Sequence, residues 1–354
     1  MTSTAQAITR NGDEKINWIP SIPFILMHVA ALGWILTGLN VTAVVLFLVL
    51  YWGRMFFITA GYHRYFAHKA YKTNRAFQLI LAVGGATAAQ KGPLWWAGHH
   101  RDHHKFSDTD LDIHSPKKGF WWSHMGWILC RKYNDTPVDN IKDFAKYPEL
   151  RFVNRYWGLF PFLLAVACLL LGGWPGLFFG FFASTVVLWH STYIVNSLAH
   201  VMGRRRYVTL DTSRNSLFIA IVTMGEGWHN NHHYYQASVR QGFFWWEIDV
   251  TYYILRVLSW FKIVHALRMP PDRVLAGERI KEGHFDVGMF AAHWGKARLA
   301  LLAAQERAGD YAGAKKRAIE DFVDSSKETA DELARLTAVT TTPPTAKPAT
   351  TQSD

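Results

Sequence analysis

Two long stretches of the chain carry no charged side chain. No Asp, Glu, Lys or Arg occurs from Ile16 to Gly53, and none occurs from Tyr156 to Gly203. One membrane-spanning helix needs about 20 apolar residues, so each stretch is long enough for two spans joined by a short turn. Asn40 and the segment Gly-Gly-Trp-Pro-Gly at 172–176 provide the turn residues. The sequence therefore predicts two transmembrane hairpins in preference to a large soluble core.

Basic residues predict how these hairpins lie in a membrane. The polar segments 61–155 and 204–280 are rich in Lys and Arg, whereas both predicted inter-helix turns are uncharged. The positive-inside rule then places the polar segments and both termini in the cytoplasm. The formal net charge of +11 also suits anionic lipid headgroups and acidic partners. We expect a lipid bilayer as the main partner, and no nucleic acid.

These features divide the chain into seven segments. We expect an all-α integral membrane protein, with four transmembrane helices in two hairpins and a cytoplasmic helical cap. The predicted segments are an N-terminal tail at 1–15, hairpin 1 at 16–60, the first cap part at 61–155, hairpin 2 at 156–196, the second cap part at 197–290, an exposed helical extension at 291–338 and a disordered tail at 339–354.

Eight histidines fall into three tight groups. Neutral imidazole is the commonest protein metal ligand, so the grouping predicts metal binding more readily than unrelated packing. Positions i, i+3 and i+4 lie on one face of a helix, so each triplet can direct its rings at one point. A pair five residues apart needs a kink, a helix end or two metals. The groups are His63 and His68, then His100, His103 and His104, then His229, His232 and His233.

The other candidate ligands narrow the kind of metal site. With only two cysteines, Cys130 and Cys168, neither a disulfide framework nor a four-thiolate iron–sulfur cluster is expected. Imidazole sites suit Zn, Fe, Cu or Ni, and eight ligands favour two ions. His200 is a ninth ligand or a hydrogen-bonded residue at a helix end. Acidic candidates to orient the imidazoles are Asp102, Asp108, Asp110, Asp112 and Glu226.

Three segments around these histidines resemble the histidine boxes of the membrane acyl-CoA desaturases, the stearoyl-CoA Δ9-desaturase family. They read TAGYHRYFAH at 59–68, HRDHHKFS at 100–107 and GEGWHNNHH at 225–233. The segment VNSLAH at 195–200 resembles the fourth element of that family. The resemblance covers about residues 18–270.

This resemblance implies a di-iron centre held by the cap. The implied metal ligands are the eight clustered histidines, His200 and, through water, Asn196. The implied substrate contacts are Trp96, Gln90 and Thr192, which would shape a bend in the acyl cavity, and Arg101, Arg131 and Lys132, which would contact the phosphates of coenzyme A. His99 stands where the family pattern has an Asp, and it is not counted as a ligand.

The resemblance also implies a reaction. We expect a fatty acyl-CoA desaturase that uses two Fe ions, O2 as co-substrate and two electrons to place a cis double bond, at Δ9, in a long-chain acyl-CoA. No His-Pro-Gly-Gly element of a fused cytochrome b5 occurs. A separate ferredoxin, rubredoxin or cytochrome b5 with a reductase is therefore expected as the electron donor, and a bacterial inner membrane as the location.

Three alternatives stay open at this point. An acyl-lipid desaturase or an alkyl hydroxylase would use the same di-iron chemistry on another substrate. A membrane metal carrier or sensor would bind metal without turnover. The charge-free hairpins argue against a carrier, because a transport path needs polar residues inside the spans.

Overall fold

The computed structural model describes residues 10–277, and this part of the chain is mostly helical. The predicted extension at 291–338 and tail at 339–354 lie outside the described residues. Two short strands, β1 (Lys72–Thr73) and β2 (Val264–His265), pair antiparallel and join the two predicted cap parts.

Helices of three kinds make up the rest of the described fold. The α-helices are α1 Ile22–Ala31, α2 Trp34–Thr37, α3 Val41–Phe56, α4 Arg75–Ala86, α5 Pro93–Phe106, α6 Phe120–His124, α7 Lys142–Ala145, α8 Pro148–Arg155, α9 Leu159–Pro175, α10 Ser184–Asn196, α11 Leu217–Val222, α12 His229–Tyr234, α13 Val250–Trp260 and α14 Asp272–Leu275. Two π-helices span Phe57–Ala67 and Gly176–Ala183. The 3₁₀ turns are Pro116–Lys118, Gly126–Leu129, Arg131–Tyr133, Val138–Ile141 and Leu198–His200.

Two helical stretches, Val41–Ala67 and Leu159–His200, are long and apolar enough to cross a membrane. Ile22–Thr37 and Arg75–Ala86 are shorter apolar helices. Large apolar side chains cover their outward surface, and Leu170, for example, is 80% exposed. Soluble proteins rarely leave a contiguous apolar surface of this kind uncovered, so this surface fits contact with lipid. The count of four spans and their orientation stay predictions.

Turn residues connect the two hairpins at one end. The Asn40 side chain accepts a hydrogen bond of 2.7 Å from an N–H in the first turn of α3, so it caps that helix. The same side chain donates to the carbonyl of Gly172 at 3.2 Å. Gly173 interrupts α9 with a φ of 63°, a conformation that glycine adopts without steric cost. The helical direction therefore changes where the sequence has its Gly-Gly-Trp-Pro-Gly segment.

The core of the cap is built around the π-helix Phe57–Ala67. Nearly every residue of this helix is buried, and Tyr62 and Phe66 are wholly inaccessible. The helix packs on α4, α5 and α13. Its burial fixes the position of the first histidine pair.

Candidate metal centre

The first histidine pair lies on, and just after, the π-helix. The N–H of His68 donates to the carbonyl of His63 at 3.2 Å, a hydrogen bond between residues five apart. This turn brings both rings to the same side, with centroids 4.8 Å apart. π-helical turns occur frequently at functional sites. A change of helix type thus lets a pair that could not share a face of an α-helix point in one direction.

The two triplets lie on α5 and α12, and each divides between two clusters. On α5, His100 and His104 belong to one cluster and His103 belongs to the other. On α12 the first and third histidines share a cluster and the middle one joins the other. The expectation that each triplet converges on one point is wrong. Residues i+3 and i+4 differ by about 100° around an α-helix, so their rings point into different clusters.

Nine histidines form these two clusters, with candidate ligand atoms all within 4.8 Å of one another in each. Within the clusters, five pairs of Nε2 atoms lie at hydrogen-bond distance, 2.9 to 3.1 Å apart. The five-histidine cluster consists of His63, His68, His100, His104 and His232. The four-histidine cluster consists of His103, His200, His229 and His233. The spacing of His200 left its role open, and the structure places it in the second cluster.

The donor chemistry of both clusters fits metal ions. Where Nδ1 of a ring faces a carboxylate, the hydrogen resides on Nδ1 and Nε2 keeps its lone pair. In each cluster the candidate ligand nitrogens lie within 4.8 Å of one another, so one cation between them could accept lone pairs from all of the rings. Nε2 of His233 is buried without a hydrogen-bond partner among the described residues, which is costly unless the atom binds something. The two clusters therefore suit two transition-metal ions.

Burial keeps these imidazoles in the form that binds a metal. Removal from water lowers the pKa of His68, His100 and His104 well below the usual value, and neighbouring histidines lower it further. The same causes lower the pKa of His229 and His232. At neutral pH no proton then has to be displaced before a metal ion binds.

Buried carboxylates lie beside Nδ1 of four cluster histidines, and three of them are within hydrogen-bond distance. Hydrogen bonds of this kind fix the orientation of a ligating imidazole and raise its basicity. Asp108 lies beyond hydrogen-bond distance of His200, 3.6 Å from its Nδ1. Its other carboxylate oxygen accepts from the Thr212 hydroxyl at 2.7 Å, and that hydroxyl oxygen is 3.2 Å from Nδ1 of His200. The closer pairs, measured from Nδ1, are His63 with Glu226 at 2.6 Å, His103 with Asp112 at 3.0 Å and His233 with Asp211 at 2.8 Å.

The acidic candidates from the sequence divide into two sets. Asp108, Asp112 and Glu226 contact histidine rings. Asp110 is exposed and Asp102 pairs with Asn140, so neither contacts a ring in the described contacts. These two were therefore wrong candidates, although they are close in sequence to the second box.

Asp211 is a residue that sequence reasoning missed. It lies in the loop after His200, where the sequence Asp-Thr-Ser indicates only a turn, and its Oδ1 accepts from the backbone of Ser213 at 2.9 Å. Burial alone would raise its pKa, but His233 outweighs burial and lowers the pKa of Asp211 far below its usual value. The carboxylate is therefore ionised throughout the neutral range.

Asp211→Asn is expected to weaken metal binding about 10- to 100-fold, because the neutral amide no longer raises the basicity of His233. The measurement is competition for iron between the purified protein and a chelator of known affinity. Asp110→Asn is the matched control, since that carboxylate is exposed. Unchanged affinity in Asp211→Asn would show that this hydrogen bond does not support the metal.

Two asparagines explain why the third box reads His-Asn-Asn-His-His. Oδ1 of Asn230 accepts from the backbone N–H groups of Arg206 and Tyr207, both at 2.8 Å. Oδ1 of Asn231 accepts from Asn215 at 2.7 Å. Both asparagines are fully buried. They fix the short helix α12 to the preceding loop, and this positions its three histidine rings.

An apolar cavity of about 570 Å³ adjoins the clusters, and Trp96, His100, Thr192 and Asn196 are among the residues that line it. Trp96 stacks on His100 with ring centroids 4.9 Å apart. Its indole N–H donates to Gln90 at 3.4 Å, and Gln90 donates to Thr192 at 3.1 Å. Hydrogen bonds thus connect the three residues that are expected to shape a bend in the acyl cavity, and they lie beside one candidate ligand, His100. Their role in shaping that bend stays a prediction.

Asn196 borders two cavities. It lines the large apolar cavity, and it also lines a small one whose wall includes His63, His100 and His229. Asn196 is therefore placed between the large apolar cavity and both clusters. Water-mediated binding of a metal by Asn196 stays a prediction.

The three basic residues expected at a coenzyme A site have different surroundings. Arg101 donates to both carboxylate oxygens of Asp143, at 2.9 and 3.1 Å, and to three backbone carbonyls. Lys132 pairs with Asp13 at 2.9 Å. Arg131 is exposed and lines the large cavity. Among these three residues, Arg131 can therefore contact a ligand in the cavity without first breaking an ion pair described in the structure.

His99 lies apart from both clusters, in agreement with its exclusion as a ligand. Its Nε2 is 3.1 Å from the carbonyl oxygen of Asp135. Its ring packs on Trp95, with centroids 4.7 Å apart. Burial lowers the pKa of His99 to about 4, so the ring is neutral.

The described structure combines exposed apolar helices, two buried histidine clusters and an adjoining apolar cavity. This combination defines a membrane metalloprotein with a site for an apolar molecule. Comparison with protein families makes this class specific. The family model of the fatty acid desaturases matches residues 39–263. The chain belongs to this family, and it is therefore a desaturase oxidoreductase and not a metal carrier or sensor.

Individual relatives cover most of the described chain. An sn-1 stearoyl-lipid 9-desaturase of Anabaena variabilis is 39% identical over 249 residues, which is 69% of this chain and 91% of the relative. An sn-2 palmitoyl-lipid 9-desaturase of Nostoc sp. (strain 36) is 39% identical over 270 residues, 73% of this chain and 93% of the relative. An acyl-CoA 5-desaturase of Anemone leveillei is 38% identical over 221 residues, 62% of this chain and 69% of the relative.

Proposed function

We propose that this protein is an acyl-lipid Δ9-desaturase, which introduces a cis double bond into a saturated chain while the chain is esterified in a membrane lipid. The observation that carries the proposal is the apolar cavity that adjoins the histidine clusters and shares His100 with them. The two cyanobacterial relatives described above, each about nine-tenths covered by this chain, are named for lipid-linked substrates and position 9. This proposal replaces the expectation of an acyl-CoA substrate.

The walls of the cavity support a lipid-linked substrate. Phe24 and Met27 of α1, and Pro161 and Phe162 of α9, line it. These helices also present apolar side chains outward, and Phe162 itself is 64% exposed. An acyl chain can therefore enter sideways from the bilayer without leaving an apolar medium. Burial of each methylene contributes roughly 0.8 kcal/mol only when the chain leaves water, so binding from the bilayer depends mainly on fit.

The basic residues also favour a lipid over coenzyme A. Arg101 and Lys132 already have carboxylate partners, and breaking these pairs would cost part of any energy gained with phosphates. Arg131 is placed at the cavity. One such cation suits a lipid headgroup better than the several phosphates of coenzyme A.

The metal ions of the proposed enzyme are two irons, held by the five-histidine cluster and by the four-histidine cluster with Asn196. When bound, they would supply the oxygen activation that removal of hydrogen from an unactivated methylene requires. The chain itself positions the substrate: the bonded row Trp96, Gln90 and Thr192 forms a rigid wall beside the clusters. A rigid wall decides which carbons lie nearest the metals, which is a proximity effect.

Electrons would come from a separate acidic carrier, such as a ferredoxin. His68 and His104 border an open depression of the cap, which is also lined by Arg101 and Lys105. Two ligand rings are thus close to the surface, in a basic setting that steers an acidic partner. With the cap in the cytoplasm, the enzyme would reside in a bacterial inner membrane.

The experiment that tests this function offers one acyl chain on two carriers. The purified protein, in lipid nanodiscs with ferredoxin and its reductase, receives labelled stearate either in a glycerolipid or as stearoyl-CoA. Mass spectrometry of the derivatised products locates the double bond. We expect a bond at position 9 in the lipid-linked chain and saturated stearoyl-CoA. His103→Ala is the inactive control, and a double bond confined to the CoA thioester would contradict the proposal.

A further inference from the structure

The large apolar cavity has two charged residues in its described lining, and both are cations. They are Lys91, in the loop before α5, and Arg131, in a 3₁₀ turn. The other described lining residues carry apolar, aromatic, imidazole or uncharged polar side chains. A cavity of this kind suits an amphiphile whose apolar part enters the interior and whose polar end carries negative charge.

Lys91 is half-buried and forms no ion pair with any carboxylate of the described residues. Its Nζ donates to the side-chain oxygen of Asn134 at 2.9 Å and to the carbonyl of the same residue at 3.3 Å. It also lies 4.5 Å from the ring centre of Trp95. Asp135 attracts it only from beyond ion-pair distance, and burial lowers the pKa of Lys91 to about 8. An ammonium has three donors, so one stays available for an anion.

The backbone around Lys91 is held in an uncommon conformation. Ala89 and Lys91, on either side of Gln90, have φ angles of 55° and 64°, which residues with a side chain adopt rarely. Backbone of this kind persists where the surrounding structure holds it, and it clusters at ligand sites. Gln90 thereby reaches Thr192 beside the clusters, while Lys91 reaches Asn134 at the surface of the cap.

Arg131 is exposed and forms no ion pair within the part of the chain that the structure describes. Its carbonyl accepts the N–H of Asn134 at 3.1 Å. The residue that binds Lys91 therefore also closes the turn that carries Arg131, and the two cations are connected through it. Lys132, the next residue along the chain, differs because Asp13 already pairs with it at 2.9 Å.

The cavity reaches the surface where two predicted spans begin. Pro20 lies just before α1 and Gly158 just before α9, and both line the cavity and are exposed. The N–H of Asn17 donates to the carbonyl of Leu129 at 2.9 Å, which ties the start of α1 to the segment that carries Arg131. In the predicted topology both helices begin at the cytoplasmic surface of the bilayer, the level of the lipid headgroups. A lipid can therefore keep its phosphate there while one acyl chain enters the cavity.

We propose that Lys91 and Arg131 bind the phosphate of an anionic glycerophospholipid, such as phosphatidylglycerol, and thereby select the lipid class that carries the reacting acyl chain. This inference rests on the proposed function. Ammonium and guanidinium donors form strong, charge-assisted hydrogen bonds to phosphate oxygens. A zwitterionic lipid brings a further cation to the two that are present, and a galactolipid brings no charge, so both should bind less well.

Competition among three lipids in one nanodisc tests this selection. Phosphatidylglycerol, phosphatidylcholine and monogalactosyldiacylglycerol are present in equal amounts, each with stearate of a different isotopic label. Initial rates of double-bond formation are read by mass spectrometry, with ferredoxin and its reductase as the donor. We expect the rate on phosphatidylglycerol to exceed that on the galactolipid about tenfold. Because all three share one disc, the membrane charge and the supply of electrons are the same for each.

Substitutions of the two cations link this preference to the site. Arg131→Gln and Lys91→Gln should each lower the ratio of the two rates, and the double variant should bring it close to one. Lys91→Arg keeps the charge and should keep the preference. Lys142→Gln is the matched control, because it removes an equal charge from a side chain that is 72% exposed and does not line the cavity. Arg131 is itself exposed, so its substitution tests the site even where Lys91→Gln fails to fold.

Lipid retention provides a measurement that needs neither electrons nor turnover. The iron-loaded protein is equilibrated in detergent with equal amounts of phosphatidylglycerol and phosphatidylcholine, and native mass spectrometry reports the lipid that stays bound. We expect phosphatidylglycerol to be retained by the unsubstituted protein and by Lys142→Gln, and to be lost from the double variant. Equal retention of both lipids by the unsubstituted protein would overturn the site.

The outcomes separate this site from the function on which it rests. If no lipid receives a double bond, the proposed function fails, and the retention of phosphatidylglycerol alone decides whether the site exists. If the three lipids react at equal rates and the double variant behaves in the same way, the site is refuted and the function stands. If conversion is confined to stearoyl-CoA and depends on both cations, they bind the phosphates of coenzyme A, and both proposals are overturned.

Discussion

Replacing His232 with alanine is expected to remove metal from the five-histidine cluster and to lower double-bond formation more than about 100-fold. Loss even of an outer partner of a ligand costs 10- to 100-fold in affinity or activity, and His232 is itself a candidate ligand. Its Nε2 lies 3.0 Å from that of His63 and 2.9 Å from that of His104. The measurements are iron per chain and fatty-acid unsaturation in a desaturase-deficient host.

His99→Asn is the matched control for this substitution. His99 is buried, as His232 is, and it directly precedes a candidate ligand, but it belongs to neither cluster. We expect His99→Asn to keep its iron and to form double bonds. Equal loss of iron in both variants would mean that packing around the boxes, and not the cluster geometry, determines metal content.

The sequence predicted the membrane helices and the histidines because both signals are local. A charge-free stretch is visible in the residue order, and so is a repeated H-x-x-H-H triplet. The mostly helical architecture and the histidine clusters are present in the structure. The sequence could not show that each triplet divides between two clusters. Each cluster is completed by histidines from segments that are distant in the sequence.

Other features could not be predicted because they depend on contacts between distant segments. The π-helix Phe57–Ala67 has no distinctive composition, and its five-residue turn becomes evident only from the bond between His63 and His68. Asp211 is an ordinary turn residue until His233 lies beside it. The motif predicted that Arg101 contacts a phosphate, whereas its guanidinium is already paired with the carboxylate of Asp143.

Arg64 forms two buried ion pairs, one with Glu226 and one with Asp249. Its guanidinium is 99% buried and donates to Glu226 at 3.0 Å, to Asp249 at 2.9 Å and to the carbonyl of Val239 at 2.7 Å. Glu226 also holds His63 at 2.6 Å. Burial alone would raise the pKa of Glu226, but His63 and Arg64 outweigh it and lower the pKa to about 2. The three charged groups therefore connect the first box, the third box and α13.

Arg64→Leu is expected to destabilise the protein by about 3–5 kcal/mol, because it leaves two carboxylates buried without their cation. For a chain of this size that corresponds to a fall in unfolding temperature on the order of 10 °C. Loss of iron should accompany it, since Glu226 would no longer be held against His63. Thermal unfolding in detergent and iron content measure the two effects.

The control for Arg64→Leu is another arginine–glutamate pair that lacks burial. Arg75 binds Glu149 through two nitrogens, at 2.6 and 2.7 Å, and its side chain is 63% exposed. Exposed pairs contribute little to stability, since water solvates both partners after separation. Arg75→Leu should therefore leave the unfolding temperature and the iron content unchanged. If both substitutions had equal effects, the burial of Arg64 would not be the source of its contribution, and the buried network would not be what joins the boxes.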